Sequence, residues 1–141
     1  MIDLAAEEVM HLTVKVAAPM VVGKTIGGFL QVIPIIGGYF SGDSIKGTVI
    51  SGGADWNTTL DTGVAHVFAK YLLETNDGEY IAIENEGLIK TDSNSVIKTK
   101  PKFQANLAGK YSNLNFGTYV GELKATPNTI DSVDIVIYRL K

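Results

Sequence analysis

The sequence predicts an all-β fold, a barrel or sandwich of roughly eight to ten short strands. Three observations carry that expectation. Helical periodicity is almost absent, apolar and polar residues alternate in run after run, and glycine-rich turns separate the runs. No fixed-period repeat and no linker divides the chain, so residues 1–141 read as one domain.

Taken in order, Leu4 to Met10 is the one stretch suited to a turn or two of helix. It leads into His11 to Val16, where apolar residues fall at period two. Pro19, Gly23 and Gly27-Gly28 break the chain before the apolar run Phe29 to Ile36. Pro34 within that run implies an edge or a bulge, because proline has no N–H for a ladder. Gly37-Gly38 ends or bends the strand that reaches Phe40. Ser41-Gly42-Asp43-Ser44 is a turn, and Ile45 to Ile50 returns as a hairpin.

The pivot of the chain is Ser51-Gly52-Gly53-Ala54-Asp55-Trp56. Adjacent glycines open positive φ to the backbone, and an acid and the only Trp follow directly. Asn57 to Gly63 is polar and closes with the turn signal Asp61-Thr62-Gly63. Val64 to Thr75 alternates over its length: Ala65, Val67, Ala69, Tyr71 and Leu73 share one face, and His66, Phe68, Lys70 and Glu74 the other. Asn76-Asp77-Gly78 connects it to Tyr80 to Asn85. Lys90 to Asn94 reads as a polar, mobile loop. Strands at Val96 to Gln104, Tyr119 to Lys124 and Val133 to Leu140 follow, with a last turn signal at Pro127-Asn128.

Composition excludes several function classes. With 141 residues the chain can bury about 68% of its unfolded surface without staples. The absence of Cys removes disulfides, thiolate metal sites and a Cys nucleophile. Met1-Ile2-Asp3-Leu4-Ala5-Ala6-Glu7-Glu8 is acidic where a signal peptide is basic, and no apolar run nears the ~20 residues of a membrane helix. A cytoplasmic location without membrane contact is the expectation. Net charge is −3, and Lys98, Lys100 and Lys102 alternate with Thr99 and Pro101 as the polar face of a strand, so nucleic acid is not an expected partner.

Asp55 and Trp56 are the first functional candidates. A carboxylate against an indole sits in a partly apolar setting that raises its pKa and suits it to acid or base work. In the plainer reading Asp55 caps the glycine turn and Trp56 plugs a barrel end. His66 could assist as a proton shuttle or stand as an ordinary surface histidine. Tyr71, Asn85 and Tyr119 could present polar tips to a ligand or simply fill a core. Two unrelated histidines without Cys argue against a dedicated zinc site, a His–carboxylate site has no supporting pattern, and no cofactor motif occurs, so no metal or cofactor is expected. Gly23-Lys24-Thr25 lacks the first glycine of a phosphate loop and the helix that should follow.

These residues resemble domain-of-unknown-function family 3237, also called uncharacterised protein family 0311. The resemblance rests on Gly37-Gly38-x-Phe40-x-Gly42, Gly47, Gly52-Gly53-Ala54-Asp55-Trp56, Gly63, Tyr71, Thr75, Asp77-Gly78, Ile81, Asn85 and Gly87. It implies a closed antiparallel β-barrel, calycin-like in size and shape, usually homo-oligomeric, with a dimer favoured, and without a settled reaction. The family often carries Asp where Phe68 stands and Arg where Lys70 stands.

The functional expectation is a barrel that binds a small, partly apolar organic molecule near Asp55 and Trp56. A cofactor-independent isomerase, lyase or lactone-forming enzyme using the same pocket is the alternative. A filled barrel acting through its outer face is the third reading.

Overall fold

The computed structural model describes residues 1–90, 96–125 and 131–141. Its strands are β1 (Ala6–Val16), β2 (Met20–Thr25), β3 (Gly28–Ser41), β4 (Lys46–Val49), β5 (Ala54–Thr59), β6 (Val64–Thr75), β7 (Tyr80–Lys90), β8 (Ile97–Gln104), β9 (Tyr119–Ala125) and β10 (Ser132–Leu140). A short 3-10 turn lies at Ser112–Asn115.

All pairings are antiparallel, in the order β1-β10-β9-β8-β7-β6-β4-β3, and β3 pairs back to β1 to close a barrel. β4 and β5 occupy one stave between β3 and β6, divided by the Gly52-Gly53 kink. Counting that stave once, and β1 with β2 as one stave along β3, the described residues make an eight-stranded wall. Closure of this kind removes the edges that an open sheet would expose.

The two halves of β3 have different partners. β1 pairs with β3 from Ser41 down to Ile35, and β2 takes over from Val32 to Gly28. Pro34 lies at the handover, with its carbonyl accepting the Ala17 N–H at 2.9 Å. A residue without an N–H costs no ladder bond where one partner strand ends and the next has yet to begin.

Several local expectations change. Leu4 to Met10 is not helical: β1 begins at Ala6, because pairing with β10 from Ala6–Leu140 onward satisfies its backbone groups. Gly37-Gly38 bends β3 without ending it, and a Cβ on Gly38 would run into the Thr13 carbonyl of β1. Met20 to Thr25 forms a strand that the glycine and proline signals concealed. Asn57 to Thr59 continues β5, and β7 runs on to Lys90. The expected loop at residues 91–94 and the turn at Pro127-Asn128 lie outside the described residues.

The interior is unevenly filled. Toward the end bearing the Ser112–Asn115 turn, here the upper end, Met10, Leu12, Phe40, Leu73, Ile81, Ile83 and Ile137 are at most 2% exposed. Each such burial contributes roughly 1.5–3 kcal/mol. Phe103 and Tyr119 add an edge-to-face contact at 5.1 Å, and Tyr111 donates to Asp77 at 2.9 Å. Toward the lower end the inward positions include the small residues Ala65, Ala69, Gly87 and Gly121. There Val67, Ala69, Leu123 and Val133 face inward and keep part of their surface exposed.

Candidate functional site

The lower lumen carries a polar floor built by register. Cross-strand neighbours share a face, so Asp55, its partner Ala69 and that residue's partner Asn85 form one inward row. Tyr71 is inward two residues along β6 from Ala69, and Thr99 is inward on β8, opposite Gly121. The side-chain oxygens of Tyr71, Asn85 and Thr99 are buried and have no hydrogen-bond partner among the described residues. Buried polar atoms without partners are uncommon in folded proteins because each forfeits its bonds to water.

Glycines make room for this cluster. A Cβ on Gly121 would lie 2.5 Å from Thr99 Oγ1 and 3.6 Å from Asn85 Nδ2. One on Gly87 would lie 3.2 Å from Thr99 Cγ2. The Thr99 side chain and the Asn85 amide therefore pack into the space that the missing side chains of Gly121 and Gly87 leave to them.

Asp55 is held at the edge of this floor. The β5–β6 ladder is registered at Asp55–Ala69 and again at Thr58–His66, but lapses across Trp56 and Asn57. Asp55 Oδ1 accepts the Phe68 N–H within that gap, at 3.0 Å. Burial pushes its carboxyl above the ordinary range, while the Phe68 N–H and the nearby His66 ring pull it partly back. Burial likewise raises the Tyr71 phenol, which is thus neutral and able to donate.

The arrangement brings Asp55, Tyr71 and Asn85 to one interior and separates the other candidates from them. Trp56 is 53% exposed and shares the outer row with Val32, because successive residues of a pleated strand point to opposite faces. The expected side-by-side display of acid and indole does not form. The depression beside the glycine kink, about 320 Å³, is lined by Gly52, Gly53, Lys70 and Leu72 among others, and neither Asp55 nor Trp56 borders it.

His66 is also outside. Its Nε2 lies 2.9 Å from Glu86 Oε2, and this bond holds the Glu86 carboxyl below its ordinary range. The Phe68 ring packs beside it at 6.4 Å. Tyr119 is buried at the upper end, where its hydroxyl donates to the Phe116 carbonyl at 2.9 Å. Among the described residues no group of three or more His, Cys, Asp or Glu is placed to hold a metal ion.

Thr99 and Gly121 were not foreseen as site residues. The signal for Thr99 was present in the alternation with Lys98 and Lys100, which puts Thr99 on the face opposite the lysines. Its position over Gly121 is a long-range pairing that no local pattern encodes.

Comparison with known proteins follows the same lines. Residues 4–140 match the family described as proteins of unknown function, DUF3237. The UPF0311 protein CA_C3321 of Clostridium acetobutylicum is 39% identical over 87 residues, 61% of this chain. That match spans about half the relative's length, 55%. A solved beta-barrel like protein from Acinetobacter baumannii superposes with a TM-score of 0.86 at 28% identity, covering 100% of this chain and 98% of that one. A structure described as an enzyme from Penicillium herquei shares the fold, with a TM-score of 0.78 at 19% identity, covering 98% of this chain and 95% of that one.

Proposed function

The chain belongs to the DUF3237 family of proteins of unknown function, and from that premise we propose that it is a small-molecule-binding barrel whose ligand enters the lower lumen. The observation that carries this reading is the set of three buried, partnerless oxygens on Tyr71, Asn85 and Thr99. A ligand with a carbonyl or hydroxyl group would restore their hydrogen bonds, and its apolar part would lie along Val67, Leu123 and Val133. Desolvated polar groups of this kind discriminate strongly, since a ligand lacking the matching group leaves them unpaired.

Native mass spectrometry of protein purified from its source cells tests the reading. A retained small organic molecule that is lost from the Thr99→Val and Gly121→Ala variants, both still folded, supports it. A ligand-free spectrum with an unchanged melting curve across a library of small carbonyl and hydroxyl compounds sinks it. The same spectrum counts subunits, and we carry the homodimer forward as the expected assembly and the cytoplasm as the expected location.

A second reading, a cofactor-independent acid/base enzyme, is favoured by one observation. Asp55, on the row of Asn85, has a carboxyl raised by burial and therefore stays protonated to higher pH than a surface Asp. Turnover of the retained molecule that survives in Asp55→Asn removes this reading and leaves the binding role intact. The filled-barrel reading has less support, because Val67, Ala69, Leu123 and Val133 of the lower half are only partly buried.

A further inference from the structure

A cavity lies at the upper end of the barrel, opposite the polar floor, and its charges have a different character. It measures about 320 Å³ and is lined by Glu8, Val9, Asp43, Ile45, Tyr119 and Arg139 among others. The volume suits a ligand of amino-acid size at the lower limit of small-molecule sites.

Arg139 is prearranged there. A Cβ on Gly117, whose φ is +99°, would lie 2.8 Å from Arg139 Nε and 3.1 Å from its Cζ, so the guanidinium lies flat against a backbone that only glycine leaves bare. Its Cζ also lies over the Tyr119 ring, 5.9 Å from the centroid. Held by these two, the fork has no ion pair or hydrogen bond among the described residues. A fixed guanidinium with free donors is suited to a carboxylate, which it can meet with two parallel bonds.

The remaining charges sort themselves. Glu7 is neutralised by Lys141 at 2.8 Å, and Lys110 is paired with Asp77 at 3.6 Å. Glu8 and Asp43 have no such partner among the described residues. One unpaired guanidinium and two unpaired carboxylates therefore rim a cavity whose wall includes Val9, Ile45 and Leu114. A simple anion would meet the guanidinium but face the two acids. A zwitterion satisfies both signs.

We propose that this upper cavity binds a small zwitterion with an apolar side chain, of the α-amino acid class. Its carboxylate would pair with Arg139, its ammonium with Glu8 and Asp43, and its side chain would pack on Val9, Ile45 and Leu114. The site is independent of the lower lumen, from which the packed upper core separates it.

Amide chemical-shift titration of the intact protein with L-phenylalanine tests this, with phenylacetate and phenethylamine as one-headed controls. The expected result is saturable shifts centred on residues 7–9, 43–45 and 111–119, with each control at least about tenfold weaker. Arg139→Gln and Asp43→Asn should each weaken phenylalanine by about tenfold or more, while Asn85→Leu in the lower lumen leaves it unchanged. Asp43 lies in an exposed turn, so its variant remains informative if Arg139→Gln fails to fold. The proposal is overturned by the absence of saturable shifts at millimolar phenylalanine and leucine. It is equally overturned by phenylacetate binding as well as phenylalanine, or by a folded Arg139→Gln or Asp43→Asn variant that titrates like the parent.

Discussion

Asp55 Oδ1 accepts the backbone N–H of Phe68 at 3.0 Å, in a gap where the β5–β6 ladder makes no registered pair. The carboxylate thereby substitutes for a main-chain carbonyl and is carried out of water as it does so. That single contact ties the conformation after the glycine kink to the charge state of the acid.

A pH dependence follows from it. The fold raises the Asp55 pKa above its ordinary 3.8, so the protonated form is the one the native state prefers. Stability from this group is full below the ordinary value and is lost as pH rises through the native value. Asp55→Asn keeps an acceptor for the Phe68 N–H and never ionises. Its stability relative to the parent should therefore grow as pH rises from about 3 to about 7. Glu7, Asp77 and Glu86 are held low and work in the opposite direction, but both proteins share them. Urea unfolding across that range provides the check, and a flat difference between the proteins contradicts the assignment.

The kink itself depends on two glycines for different reasons. Gly52 has φ +120° and open space where a side chain would go. Gly53 has no positive φ, but a Cβ there would strike the Lys70 carbonyl and come within 2.9 Å of Tyr71 Cα. Gly53→Val should cost about 1–3 kcal/mol or more through overpacking against backbone that cannot yield. Gly52→Ala should cost about 1–3 kcal/mol through strain alone. Equal urea midpoints for Gly53→Val and the parent would contradict the close approach.

Tyr71→Phe should separate function from stability. It removes a buried hydroxyl that has no partner among the described residues, so the variant should gain about 1 kcal/mol of stability. The same change should weaken the lumen ligand. A loss of stability in calorimetry would mean that the hydroxyl is already satisfied in the free protein.

His66→Ala should leave lumen binding unaltered, because the imidazole is on the outer face with Glu86. What changes is the Glu86 carboxyl, whose pKa should rise toward its ordinary value once its hydrogen bond from His66 is gone. Carboxyl carbon shifts followed by NMR through the acid range report that directly. Altered ligand affinity in this variant would place the histidine functionally inside.

Strand type and face were legible along the chain because alternation is local. The split of Val64 to Thr75 into Ala65, Val67, Ala69, Tyr71 and Leu73 against His66, Phe68 and Lys70 describes the observed inner and outer faces of β6. Family membership was legible too, and the family match spans residues 4–140. Which face was inner was not, since parity is symmetric until a barrel closes. Nor could residue order reveal that Trp56 and His66 face outward while Thr99 comes over Gly121. The pleat is a property of neighbouring residues, whereas the lumen is made by hydrogen bonds between residues far apart in the chain, and only their closure decides what an inward side chain meets.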